Sequence, residues 1–191
     1  MRVLVVDSFD SSHADRYVAD QALASLRNNG NDVDQLQLYT PAFDSFMTEQ
    51  EWRAYETNTP LQADATRDSA ARVGNAEALL FLYPTTLFGL CPRTKAWMER
   101  VLVPGVAFTF NRRGKVRPGL TNIRRLGALT ATPHPTSATR AARDLGRRMV
   151  LRTVRLNCAP TCRSTFLSLA SGSPVGRTAD QIERTFRNWT G

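Results

Sequence analysis

The segment from Phe81 to Phe110, FLYPTTLFGLCPRTKAWMERVLVPGVAFTF, most constrains what this chain can fold into. An apolar run, AEALLFLYP, stops at Pro84, and the next residues, Thr85, Thr86, Leu87, Phe88 and Gly89, are small or flat and uncharged. An amphipathic run from Pro92 to Val103 follows at once, then a Pro-Gly turn and the aromatic segment VAFTF. A buried strand that passes through a short loop straight into a helix places that loop at the carboxyl edge of a parallel sheet. Ligands in open α/β sheets bind at that edge. A loop of Pro, Thr, Leu and Phe offers backbone N–H groups and flat apolar surface there, which suits a planar ring system better than a metal or a sugar.

The rest of the chain alternates strand and helix. Arg2 to Val6 (RVLVV) is a continuous apolar run, as expected of a strand buried on both faces. Ser11 or Ser12 is placed to cap a helix running to about Asn29, with Tyr17, Val18, Ala22, Leu23 and Leu26 on one stripe. Val33 to Tyr39 alternates apolar and polar residues, the pattern of an edge strand. Thr40 to Pro60 is a long connection with a short helix at Thr48 to Tyr55, and Gln62 to Asn75 is helical. Ala78 to Tyr83 is the third strand, Pro92 to Val101 a helix, and the polar excursion Asn111 to Thr121 a small hairpin. Arg125 to Ala131 is the fourth strand, Ala138 to Val154 one long basic helix, and Cys162 to Leu169 the fifth strand. A closing helix spans Thr178 to Trp189, capped near Thr178 or Asp180. Five strands separated by helices, with no internal repeat, predict a single doubly wound α/β domain over residues 1–191. A chain of 191 residues is long enough to bury a full core.

Composition narrows the function classes. No stretch approaches the ~20 unbroken apolar residues of a membrane span. The N-terminus lacks a small-residue cleavage site and reads as a first strand rather than a signal peptide, so a cytoplasmic location is expected. The three cysteines, Cys91, Cys158 and Cys162, are odd in number, and a C-x3-C pair in a chain with two histidines is a poor zinc site. Free thiols in a reducing compartment are the expected reading. The net charge of +8 is unevenly spread: thirteen basic residues from Arg112 to Arg163 face one acid, Asp144. Such asymmetry attracts nucleic acid, a phosphorylated cofactor or a second subunit, or forms an ordinary solvated face. The chain has no RNA-recognition aromatic motif, zinc finger or basic coiled coil that would favour nucleic acid.

YPTTLFGLCPRTKAWMERVLVPGVAFTF resembles the central motif of the flavodoxin-like NAD(P)H:quinone oxidoreductase family, the DT-diaphorase and modulator-of-drug-activity group. Pro84, Phe88, Gly89, Pro92, Lys95, Trp97, Arg100, Val101, Gly105, Phe108 and Phe110 carry the likeness, and RPGLTNIRRLGALTAT is similar to the segment before and along the family's fourth strand. The resemblance implies an α/β flavodoxin-like three-layer sandwich, with a five-stranded parallel sheet of order 2-1-3-4-5. It also implies a bound FMN or FAD and a homodimer with active sites at the subunit interface. The implied activity is ping-pong hydride transfer from NADPH or NADH through FMN to a quinone or similar aromatic acceptor. One branch of the family instead assists ion-efflux systems as a soluble ancillary subunit, the alternative reading. No long extension follows Gly191, which favours FMN over FAD.

Three loops carry the implied site. The first, VVDSFDSSHAD, offers a helix start with Ser8, Ser11, Ser12 and His13, a natural phosphate site. Without the resemblance its serines read as simple helix caps. Relatives typically show His where Asp7 stands, and a carboxylate beside a phosphate is repulsive unless something intervenes. In the second loop, Pro84, Thr85, Thr86 and Leu87 lie along the flavin ring, and Phe88 either joins them or plugs the core. Trp97 is assigned to core packing. The third loop, TATPHP, presents Thr132 and Pro133, which lacks an N–H. His134 there is either an exposed loop residue or the group that places a proton or positive charge near the ring. The Tyr and His of the DT-diaphorase proton-relay pair are absent, and Thr139 and Leu145 stand near their positions instead, so any relay is a different one or uses water. Arg112, Arg113, Lys115 and Arg117 attract cofactor phosphates or form a solvated face.

Overall fold

The central strands form because parallel pairing buries both faces of a strand, and only uninterrupted apolar runs tolerate that. In the computed structural model, which describes residues 1–41, 43–55, 64–142 and 144–190, β1 (Arg2–Asp7), β3 (Ala78–Pro84) and β6 (Arg125–Thr132) are almost wholly buried. They are flanked by β2 (Asp32–Gln37) and β7 (Arg163–Ala170), whose side chains are half-buried or exposed for most of their length. All five pair in parallel in the order β2-β1-β3-β6-β7. Renumbered by rank this is 2-1-3-4-5, the flavodoxin-like order expected. The polar excursion becomes the antiparallel hairpin of β4 (Phe108–Phe110) and β5 (Val116–Pro118).

Alternate side chains feed two cores. Leu4, Val6, Leu79, Phe81 and Leu126 pack against Trp97 and Val101 of α4 (Pro92–Val101). Val5, Leu80, Leu82 and Leu129 pack on the other face, against Val18, Ala22 and Leu26 of α1 (Arg16–Asn28) and Ile182 and Phe186 of α7 (Val175–Phe186). Trp97 is fully buried with its ring edge-on to Phe81, centroids 5.8 Å apart, so it is core packing as assigned. Gly127 lets Trp189 pack close against β6: a Cβ there would sit 2.7 Å from the indole. No helix among the described residues is long and apolar enough to cross a membrane.

Several local expectations are corrected. Neither Ser11 nor Ser12 caps α1, which begins at Arg16. The Asp10 carboxylate takes both the N–H and the hydroxyl of Ser12, and His13 Nδ1 accepts the Asp15 N–H, so a separate turn precedes the helix. Helix α7 starts after Pro174 rather than at Thr178 or Asp180, because the Thr178 N–H already bonds the Pro174 carbonyl. The long basic helix is broken into α5 (Thr136–Ala141) and α6 (Leu145–Arg148), continued by a π-helical turn, Met149–Val154. Asp144 takes a left-handed conformation (φ 34°) and accepts the Arg147 N–H at 2.8 Å, while Leu145 N–H donates to the Phe88 carbonyl at 3.0 Å. That tertiary bond restarts the helix in register with the second loop. The expected short helix is present as α2 (Glu49–Ala54), closed by a reciprocal Thr48–Glu51 capping box. Helix α3 (Asp64–Asn75) matches its expected end; its expected start at Gln62 lies outside the described residues.

Candidate functional site

The carboxyl ends of β1, β3 and β6 stand side by side, and the turns that follow them are laced together. Ser8 N–H donates to the Leu82 carbonyl (2.8 Å), and Thr94 of α4 donates its hydroxyl to Ser8 Oγ (2.7 Å), joining the first turn to the second. Thr85 N–H donates to the Ala131 carbonyl (2.7 Å), and the hydroxyls of Thr85 and Thr130 are hydrogen-bonded, joining the second to the third. The Phe88 and His134 rings stack at 4.1 Å, closing the gap between those two turns. Ser171 N–H bonds the Thr132 carbonyl, and Asp15 accepts the Gly172 N–H, so the turn after β7 is tied in as well.

Within the first turn, Ser8 is fully buried and faces inward, its N–H and hydroxyl both engaged. Ser12 is held by Asp10, whose carboxyl its hydrogen bonds keep below the usual carboxylate range. His13 is tethered through Nδ1, its ring edge-on to Phe9. Among the described residues, the N–H groups of Asp10, Ser11 and Ala14 have no partner, and Ser11 is exposed. These are the donors left for an anion.

Asp7 does not spoil this turn. Its carboxylate is fully buried, yet it is paired with Arg16 at 2.7 Å and accepts from Gln35 (2.8 Å) and the Phe9 N–H (3.0 Å). Burial works against the Arg16 charge, but the Asp7 and Asp20 carboxylates outweigh it and hold the guanidinium above its ordinary pKa. A buried carboxylate with a cation and two further donors is fully compensated. Sequence reasoning missed Arg16. The available signal was a cation in the first turn of a helix, where the macrodipole disfavours it.

The second turn is the strained part of the rim. Thr86 and Gly89 exchange backbone hydrogen bonds across Leu87 and Phe88, which both have positive φ, 46° and 59°. Two-residue turns of this hand favour Asn and Gly; a bulky residue there costs roughly 1–2 kcal/mol. Strain of this kind marks sites where geometry serves a ligand. Among the described residues the Leu87 and Phe88 N–H groups are unpaired, and Leu87 is 86% exposed. Pro84 and Thr85 are half-buried and Thr86 is exposed, so all five expected contact residues line the same turn.

The third turn works differently from what amide donors would give. Thr132 is buried, Pro133 has no N–H, and the His134 N–H is held by Thr132 Oγ1 at 3.3 Å. What this turn presents is the half-buried His134 imidazole. The excursion bearing Arg112, Arg113, Lys115 and Arg117 belongs to the β4–β5 hairpin, not to these turns, and all four side chains are exposed.

A five-stranded doubly wound sheet with three laced turns and free backbone donors at one rim defines a flavodoxin-like fold with a candidate binding rim. The profile of a family described as having a flavodoxin-like fold matches residues 1–159, and the chain belongs to that family. No curated protein sequence matches it. Solved structures share the fold at low identity. The Smu.1420 protein of Streptococcus mutans is 17% identical, with TM-score 0.82 over 98% of this chain and 100% of its own. An NAD(P)H:quinone oxidoreductase from Methanothermobacter marburgensis is 20% identical, with TM-score 0.81 over 99% and 98%. An FMN-dependent NADH-azoreductase from Bacillus anthracis, solved with FMN, is 13% identical, with TM-score 0.72 over 100% and 99%.

Proposed function

We propose that this protein is a flavin oxidoreductase that holds FMN along its carboxyl rim and passes electrons from NADPH or NADH to quinones or related aromatic acceptors. The observation that carries this reading is the Leu87–Phe88 turn: two bulky left-handed residues, with free N–H groups, at the rim where such folds bind ligands. The fold neighbours that reduce quinones and azo compounds support the reaction class.

A bound flavin mononucleotide supplies two-electron transfer between the nicotinamide nucleotide and the acceptor. The free amides of Asp10, Ser11 and Ala14, with the Ser11 hydroxyl and His13, hold the phosphate, and Arg16 keeps Asp7 from repelling it. Pro84, Thr85, Thr86, Leu87 and Phe88 orient the ring, with the Leu87 and Phe88 N–H groups as its hydrogen-bond donors. Thr132 and Pro133 would shape the third turn toward the flavin, and the His134 imidazole would supply a proton or positive charge to it. Ser8 supports the first turn from within through Thr94.

The working unit is a homodimer. Leu87, Leu145 and Leu156 are 86%, 56% and 75% exposed, and the first two border a groove of about 750 Å³ that also takes in Leu90 and Met149. Apolar surface of that kind is expected to be covered. The three free, buried cysteines fit a reducing cytoplasm.

The test is a titration of the purified protein with FMN, followed by NADPH and then NADH without oxygen. The reading predicts saturable binding, loss of the flavin's visible absorbance on adding the nucleotide, and its return when menadione is added. Protein that binds neither FMN nor FAD overturns it.

A further inference from the structure

Beside the third turn, α6 and the π-helical turn after it stand off from β7 and leave a cavity of about 510 Å³. That volume is within the usual range for a small-molecule site. Arg147, Arg148 and Arg152 line it, and none pairs with a carboxylate among the described residues, whereas Arg16, Arg53, Arg72 and Arg100 all do. Among the described lining residues the one acid is Asp144, which spends an oxygen on the Arg147 N–H. The cavity wall also has a flat apolar component: Phe166 lies beneath Arg147, with the guanidinium carbon 5.9 Å from the ring centroid. Arg152 rides on the π-helical turn, a geometry found disproportionately at functional sites. Thr132 and His134 line this cavity and also form the third turn, so it opens directly beside the proposed cofactor rim.

We infer that this cavity selects acceptors bearing an acidic group on a planar aromatic ring, such as a sulfonate or carboxylate, with the anion held by Arg147, Arg148 and Arg152 and the ring on Phe166. This specificity rests on the redox reading for its role in turnover, though not for binding itself. Three guanidinium groups with no carboxylate ion pair among the described residues leave a positive potential around one cavity, and a guanidinium fork pairs with planar oxyanions in bidentate fashion. A neutral quinone gains only hydrogen bonds and stacking from them, without the charge pairing. The phosphate of a nicotinamide nucleotide shares the anionic chemistry, so the experiment must separate the two.

Anthraquinone-2-sulfonate and uncharged menadione serve as acceptor probes, with NADPH and NADH as nucleotide probes, each titrated by tryptophan fluorescence quenching. Wild-type protein is compared with the double variant Arg147→Gln/Arg152→Gln, whose fold is checked by circular dichroism and melting. The inference predicts that the double variant weakens sulfonate binding about tenfold or more and menadione binding less than about twofold. Added salt is expected to weaken sulfonate binding to the wild type far more than menadione binding, a result that stands even if the variant does not fold. Equal effects on the two quinones overturn the inference, as does a loss confined to NADPH relative to NADH. Failure to bind flavin, with the sulfonate discrimination intact, removes the redox reading and leaves the binding site standing.

Discussion

The two ends of the sheet are built from the same strands yet differ in the geometry of the turns that close them. At the amino end, polar groups lace neighbouring segments together. Arg2 N–H bonds the Glu77 carboxylate at 2.8 Å while Glu77 N–H returns to the Arg2 carbonyl. The Asn122 side-chain amide bridges the carbonyls of Val73, Gly74 and Ala76 at 2.8, 3.3 and 2.8 Å. Arg124 and Arg163 continue the lacing, above a plug of buried Leu120, Ile123, Cys158 and Cys162. The carboxyl end is just as well connected between its turns, but there two bulky residues with free amides are held in left-handed geometry. The proposed binding rim thus differs from the amino end by the strained Leu87–Phe88 turn that presents its free donors on a rigid frame, rather than by looseness.

That contrast breaks most visibly at Arg16. Replacing it in Arg16→Met leaves the buried Asp7 carboxylate without its cation and is expected to cost about 3–5 kcal/mol in urea unfolding, together with loss of FMN binding. A double variant that also carries Asp7→Asn should recover much of the stability. At the amino end, Asn122→Ala should cost about 2 kcal/mol by stranding backbone carbonyls, while FMN affinity stays within about twofold. A large drop in FMN affinity there would erase the distinction between the two ends.

A smaller effect is expected from acid. Helix α4 runs back from the rim to bury Arg100 against Glu51 at 2.9 Å. Burial alone would raise the Glu51 carboxyl, but hydrogen bonds from Thr48 and Arg100 overcome it and hold the group below its ordinary value. A folded pKa below the unfolded one, about 4.3, gives stability that is present above that pH and is lost as the pH falls through the folded value. Denaturation curves should therefore show wild-type protein losing stability below pH ~4–5 more steeply than Glu51→Gln; parallel curves would contradict this. The smallest change is expected at the rim itself. Leu87→Asn, which tolerates the left-handed conformation and gives up little packing, should stabilise the fold by about 0.5–1 kcal/mol. Its FMN affinity should fall. A variant both less stable and equally tight would show that the strain serves packing.

Much of the architecture was legible in the chain. RVLVV and ALLFLY are unbroken apolar runs because β1 and β3 are covered on both faces, and VDQLQLY alternates because β2 is an edge. The turn at Thr85–Phe88 was legible too, since an uncharged loop between a buried strand and a helix has one place to go. What escaped was set by contacts distant in sequence. The break at Asp144 depends on Leu145 bonding to Phe88, and the inward turn of Ser8 on Thr94. The neutralising of Asp7 by Arg16 and Gln35 exists only once β1, α1 and β2 are assembled. Periodicity carries no record of such pairings.

Amide hydrogen exchange with and without FMN tests the central claim most directly. FMN is expected to slow exchange at Asp10, Ser11, Ala14, Leu87 and Phe88 and to leave Ile123, Arg124 and Arg163 at the opposite end unchanged. Protection at the amino end, or FMN bound with no slowing at Leu87 and Phe88, would contradict it.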